Sequence, residues 1–292
     1  MPKRPYRGQA ADGVTTFDLR EYSALIDRSH GSDTLVVAFA NAPRARHSTE
    51  RAAYWGSDFL YKRRLDHISL HGRPETWFRS DIVRNFLTDH TDLPYTRILT
   101  YGVSKGGSAA LWLAGAARAT DVFALVPQVF YDARVLARGD DRWFSASYHD
   151  WPEAELRASL GAVQRITLLT DTRNGFERAH LNDLIATQPL CPRVVDMRYA
   201  GHDCAAMLGR QRGLARLFDL VLAADPITDL RPITELRKSE AGYYRNLLAS
   251  RRVASSLLLH GAVMAAAQAR GIDPMSVRMD SGYRKLGKTG RY

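Results

Sequence analysis

Only two cysteines, Cys191 and Cys204, occur in 292 residues, and they show no C-x-x-C spacing. Their scarcity excludes a zinc ribbon and a disulfide framework, and it fits a reducing cytoplasmic compartment. Histidine is present, but His47, His67, His71 and His180 are scattered without H-E-x-x-H or other ligand spacing, so no metal is expected. The chain also lacks an apolar run of the roughly 20 residues needed to cross a bilayer. Its most apolar stretch, Ala254 to Ala269, is interrupted by Ser255, Ser256, His260, Gly261 and Gln268 and reads as a packed helix. At the N-terminus, MPKRPYRGQAADG is charged and has no apolar h-region, which argues against a secretory signal.

Acidic residues are outnumbered, 31 against 41 Lys and Arg, giving a formal net charge of +10. Such a balance suits an anionic partner, whether a phosphorylated cofactor, an acidic glycan, a phospholipid surface or nucleic acid. The excess is uneven: residues 226 to 292 hold twelve basic and five acidic side chains. No RNP, zinc-finger or helix-turn-helix signature accompanies them, so nucleic acid is not the expected partner.

Hydrophobic patterning points to alternating strands and helices, which implies a mostly parallel sheet. Thr34 to Ala40 is a continuous apolar run, as a strand covered on both faces should be. Leu65 to Leu70 is a second candidate strand. Residues 79 to 90 carry Ile82, Val83, Phe86 and Leu87 at helical spacing and lead to a strand at 97 to 101. Further strands are expected over Val122 to Val129, Gln164 to Thr170 and Arg193 to Tyr199. Helices are expected over about 177 to 187 and over 205 to 224. Residues 131 to 160 form a polar insert bearing Trp143, Phe144, Tyr148 and Trp151, and an insert of that length reads as a small cap rather than a structureless loop.

Between the strand at 97 to 101 and an Ala/Leu-rich helix stands Gly102-Val103-Ser104-Lys105-Gly106. A serine hydroxyl is a weak nucleophile, and a sharp strand-to-helix turn lifts it toward a base while the flanking glycines permit close backbone approach. The alternative is a tight turn whose serine caps the helix. A base and an orienting carboxylate are then required. His202 and Asp171 are the candidates, since each follows a predicted strand as Ser104 does, at the strand edge where open α/β sheets bind ligands. Asp171 has rivals in Glu177, further along its loop, and Asp203, beside the base. Arg44, Arg46 and Arg73 fall in loops expected at the same edge and could clamp an anionic substrate or form a solvated rim.

From about residue 30 to 225 the chain resembles the α/β-hydrolase superfamily, with GVSKGG similar to its nucleophile elbow and YAGHD to its histidine loop. The lysine after the serine and the run into SAAL also resemble hydrolase-like proteins of bacterial surface-glycan and accessory-secretion systems. The resemblance implies a catalytic domain over 1–225, with the cap at 131–160, and the chain order Ser104, Asp171, His202 is the one expected for that fold. It implies an oxyanion hole from the Lys105 N–H and a second donor, Asn41 or Ala42, because Pro43 has none to give. Substrate contacts are expected from Arg44, Arg73 and Trp143. The implied activity is first that of a serine esterase, hydrolysing a small-molecule or glycan carboxylic ester through a Ser-His-Asp triad and an acyl-enzyme, with O-acyl transfer to or ester removal from a bacterial surface glycan as the alternative. Hydrolysis needs no cofactor, and a transferase would take an acyl donor such as acetyl-CoA.

Residues 226 to 292 differ in kind. Helical periodicity over 233 to 270, broken near Arg251, predicts a C-terminal helical extension, and the chain beyond Gly271 reads as a basic, Gly-rich tail. Leu257, Leu258, Leu259 and Val263 could cover the body or support a homo-oligomer, the arrangement expected of a non-catalytic assembly factor. Gly282 to Thr289 matches G-x-x-x-x-G-K-[ST], but only three residues follow, too few for the helix a phosphate loop opens.

Overall fold

The computed structural model describes residues 7–11, 13–40, 50–73, 75–132, 135, 137–223, 229–280 and 283. Two compact units divide them: residues 1–166 with 184–193, and residues 167–183 with 194–292. The expected boundary near 225 does not coincide with this division.

In the first unit, strands β1 (Arg7–Ala11), β2 (Val14–Leu19) and β3 (Tyr22–Asp27) form an antiparallel meander that sequence reading did not assign. Ala11 pairs with Val14 and Leu19 with Tyr22, so each turn spans two residues. Such tight turns need positive φ, supplied at Gly13 (+75°) and Arg20 (+71°). Strand β4 (Thr34–Phe39) follows, then β5 (Asp66–Gly72), β6 (Arg97–Val103) and β7 (Asp121–Leu125). β3 pairs antiparallel with β5, whereas β5, β4, β6 and β7 are mutually parallel in that order. The expected parallel sheet is therefore present, extended on one side by the meander.

β4 lies between β5 and β6, and Leu35 to Phe39 are wholly buried. Burial of side chains on both faces accounts for the unbroken apolar run, and each large side chain buried there contributes roughly 1.5–3 kcal/mol. Ser80 caps the helix Asp81–Thr91 by accepting the Ile82 N–H at 3.3 Å, and Val83, Phe86 and Leu87 are its buried face.

The insert after β7 carries secondary structure among its described residues. It includes the short helix Phe144–Tyr148 and the helix Glu153–Leu160. Tyr131, Trp143 and Trp151 surround the indole of Trp77, with ring centroids 6.1–6.5 Å apart. Arg79 stacks 4.3 Å from the Trp112 ring and makes a two-pronged bond to Glu155, at 2.9 and 2.7 Å. A planar guanidinium suits both contacts at once. The insert is thereby tied to the loop after β5 and to the helix Lys105–Trp112.

The second unit holds most of β8 (Arg165–Thr170), the helix Gly175–Thr187 as far as Asp183, and most of β9 (Arg193–Asp196). The helix expected over 205 to 224 is two helices, Cys204–Arg210 and Gly213–Ala223, separated where Arg212 takes φ +55°. Beyond residue 229 come the helices Arg231–Thr234, Ala241–Ala249, Arg251–Ala254 and Leu257–Gln268. Ala267 packs with Tyr243 and Tyr244, while Leu257 and Leu258 are 94% and 83% exposed. Among the described residues no helix is long and apolar enough to cross a membrane, and no group of three or more His, Cys, Asp or Glu is placed to hold a metal.

Candidate active site

β6 runs directly into the helix Lys105–Trp112 through Ser104, whose backbone sits at φ 55° and ψ −119°. That region is sparsely populated for a residue with a Cβ and costs on the order of 1–3 kcal/mol, the strain expected of a nucleophile elbow. The cost is met by the surroundings. Ser104 N–H donates to Leu125 O at 2.8 Å, and its carbonyl accepts from Ser108 N–H at 2.9 Å. The glycines are obligatory: a Cβ on Gly102 would stand 2.2 Å from Gly106 O, and one on Gly106 would stand 2.1 Å from Phe39 O. Both obstacles are backbone, so neither can be relieved by a rotamer change. Ser104 is 8% exposed, and its hydroxyl makes a long contact of 3.4 Å to Gln128 Oε1.

Lys105 opens the helix, where backbone N–H groups have no intrahelical acceptor, the property on which an oxyanion hole draws. Its side chain has a separate role that sequence reading did not find. Nζ donates to Arg73 O at 2.8 Å and lies 5.4 Å from the Phe78 ring, tethering the loop after β5. Burial lowers its pKa to about 8. Trp77 and Phe78 in that loop adopt φ of 48° and 57° while almost fully buried. The Arg73 side chain is 47% exposed, 3.9 Å from Glu21 Oε1. Trp143 is part of the aromatic cluster on Trp77. Asn41, Ala42, Arg44 and Arg46 lie outside the described residues. His67 and His71 are structural: His67 is held by Ser57 Oγ at 2.7 Å and Leu65 O at 3.0 Å, and His71 Nε2 accepts the Trp55 N–H at 2.8 Å.

In the second unit, His202 sits in the short turn Gly201–Asp203 after β9. Its Nδ1 is 2.9 Å from Oε1 of Glu177, a carboxylate only 1% exposed on the first turn of the helix Gly175–Thr187. A carboxylate on Nδ1 fixes the ring so that Nε2 is the basic nitrogen. The carboxylate at His202 Nδ1 is thus Glu177, the rival named above, where Asp171 was expected. Asp171, though completely buried at the end of β8, accepts Gly201 N–H at 2.8 Å, Arg173 N–H at 2.8 Å and the Tyr283 hydroxyl. It holds the backbone beside the histidine, and Glu177 holds the ring. Asp203 is exposed.

Burial pushes the Asp171 carboxyl up to about 6, against the opposing pull of its donors. Its ordinary value is 3.8, so the folded chain keeps the proton to higher pH than the unfolded chain does. This group's contribution to stability is therefore fully present below 3.8 and is lost as pH rises through 6, with no further change above. Asp171→Asn lacks that term. The difference in melting temperature between variant and wild type should move in the variant's favour from pH 4 to about 6.5 and then level off. A difference flat across that window would refute the assignment.

No family model matches the chain, and no curated protein matches it. Solved structures do. The capsule O-acetyltransferase of Neisseria meningitidis serogroup A aligns over 75% of this chain and 100% of its own, with a TM-score of 0.51 at 14% identity. The Glycosylation Associate Protein complex from Streptococcus agalactiae aligns over 76% of this chain and 47% of its own, with a TM-score of 0.50 at 13% identity. A Pyrococcus furiosus esterase aligns over 76% of this chain and 91% of its own, at 14% identity and a TM-score of 0.45. At such identities the likeness is one of fold. With the strand order and elbow geometry, it establishes an α/β-hydrolase-like fold.

Proposed function

We propose that the chain is a serine enzyme acting on O-acyl esters. Ser104 Oγ attacks the ester carbonyl carbon while His202 Nε2 takes its proton. Glu177 keeps the ring oriented and stabilises the imidazolium that forms. Collapse of the tetrahedral intermediate breaks the bond to the leaving alcohol, which takes the proton from His202, and the acyl group remains on Ser104. A water molecule or an acceptor hydroxyl, deprotonated by His202, then releases it. The developing oxyanion is assigned to the N–H of Lys105 and a second donor, Asn41 or Ala42.

The strained conformation of Ser104 carries this reading, because a merely structural turn would use glycine at φ 55° and avoid the cost. Transfer to a glycan hydroxyl is favoured over simple hydrolysis by the likeness to a capsule O-acetyltransferase. The basic surplus suits an anionic acyl donor or glycan. Arg44, Arg73 and Trp143 are the side chains assigned to substrate. The test is intact-mass spectrometry after mixing with an aryl acetate. Wild type is expected to become one acetyl group heavier, and an oligosaccharide acceptor should then accelerate its return. Failure of the wild type to acylate, or to react with a fluorophosphonate, would remove the enzymatic reading.

A second reading rests on the helix Leu257–Gln268, whose exposed Leu257 and Leu258 suit docking to a second copy. The aligned Streptococcus agalactiae protein is itself part of a complex. An assembly factor of this kind would leave Ser104 unreactive and would dissociate when Leu257 and Leu258 are made polar.

A further inference from the structure

The C-terminal segment, expected as a basic tail, is part of the histidine's support. Asp280 Oδ2 accepts the backbone N–H of His202 at 3.0 Å, and Asp280 Oδ1 accepts Asn174 Nδ2 at 2.7 Å. Asn174 is wholly buried, and its own Oδ1 accepts the N–H groups of Phe176 and Glu177, at 3.0 and 3.3 Å. One carboxylate therefore holds the turn that carries His202 and, through the Asn174 amide, the first turn of the helix that carries Glu177. Asp280 is itself fixed: its N–H donates to Asn246 Oδ1 at 3.1 Å, and Asn246 Nδ2 donates to Tyr199 O at 3.1 Å. Gly201 is shaped to receive it, since at φ +70° a Cβ there would stand 2.8 Å from Asp280 Oδ2. Three residues further on, Tyr283 is 3% exposed, stacks on Tyr199 at 6.1 Å and donates its hydroxyl to Asp171, the same carboxylate that holds Gly201 N–H.

We propose that Asp280 is a positioning residue that sets the spacing of His202 and Glu177, with Tyr283 locking the segment in place. The inference rests on the functional reading above for its catalytic meaning. A hydrogen bond of 2.9 Å between the two side chains leaves little tolerance, and displacement of a catalytic group by about 1 Å can cost on the order of 100-fold in rate. The Asp280 carboxylate is bonded to the His202 turn directly and to the start of the Glu177 helix through Asn174. An amide at 280 keeps one acceptor oxygen and presents a donor where the second acceptor stood, so Asp280→Asn breaks one link and preserves shape.

The experiment compares wild type, Asp280→Asn, Asp280→Ala and Tyr283→Phe by aryl acetate kinetics and by proton NMR of the imidazole Nδ1–H. Asp280→Asn and Asp280→Ala are expected to lose roughly 10- to 100-fold in kcat with KM nearly unchanged. Their acidic limb of kcat/KM should shift, and the downfield Nδ1–H resonance expected of wild type should move or broaden. Tyr283→Phe should show the same changes to a smaller degree. If Asp280→Ala lowers only the melting temperature, while kcat, pH profile and resonance stay as in wild type, the proposal is overturned and Asp280 is a structural brace. If wild type has no activity yet its Nδ1–H resonance responds to Asp280→Asn, the positioning stands and the enzymatic reading fails.

Discussion

Ser104→Ala is expected to lower kcat on aryl acetate by about 10⁴-fold or more and to leave no acylated protein by mass. The hydroxyl is the only atom at this position that can form the covalent intermediate, and an alanine methyl cannot be rescued by the base or the oxyanion donors. Residual turnover is set by those donors and by substrate binding, which alone sustain roughly 10³- to 10⁴-fold catalysis over water in comparable serine enzymes. KM should change little, because the hydroxyl is small and Ser104 is only 8% exposed. The backbone should not shift either, since alanine bears the same Cβ in the same strained conformation. Retention of more than about a tenth of wild-type kcat would show that another group attacks the ester.

Glu177→Gln is expected to lower kcat by roughly 10²- to 10⁴-fold with the fold intact, and this is the sharpest test of which carboxylate serves His202. A neutral amide in place of the carboxylate can present its N–H to Nδ1, turning the ring to the tautomer whose Nε2 is protonated and unable to accept from Ser104. It also removes the negative charge that stabilises the imidazolium. Asp171→Asn is expected to cost much less activity, because its bonds are to the Gly201 and Arg173 N–H groups and to Tyr283 rather than to the ring. The measurement is kcat for both variants above pH 7, where the Asp171 carboxylate is ionised. A larger loss in Asp171→Asn than in Glu177→Gln would reverse the two roles.

Much of this arrangement is legible in the sequence because it is local. The apolar run ending at Phe39 announces a strand covered on both faces, and GVSKGG needs its glycines for contacts made within a few residues or with the two neighbouring strands. The meander was legible in principle, since the dipeptide Asp12-Gly13 is a favoured hairpin-turn sequence, but β3 is buried throughout and lacks the alternation of a half-exposed strand. The choice between Asp171 and Glu177 was not legible. Both follow β8, and which one meets the imidazole depends on a helix start fixed by Asn174 and on Asp171 being consumed by backbone donors. The role of Asp280 was further out of reach, because it links residues 78 and 106 positions away. Its local sequence, between Met279 and Ser281, carries no chemical motif.

The chain passes between its two compact units three times, after residues 166, 183 and 193. Neither unit is a contiguous stretch of gene, so no single recombination point could deliver one of them as a cassette, and a single proteolytic nick between residues 167 and 193 would leave each fragment holding parts of both. The strained serine and the His202–Glu177 pair are thus inherited together. A lineage built on this fold must alter its chemistry residue by residue, in segments such as the loop around Arg73, and not by exchanging modules.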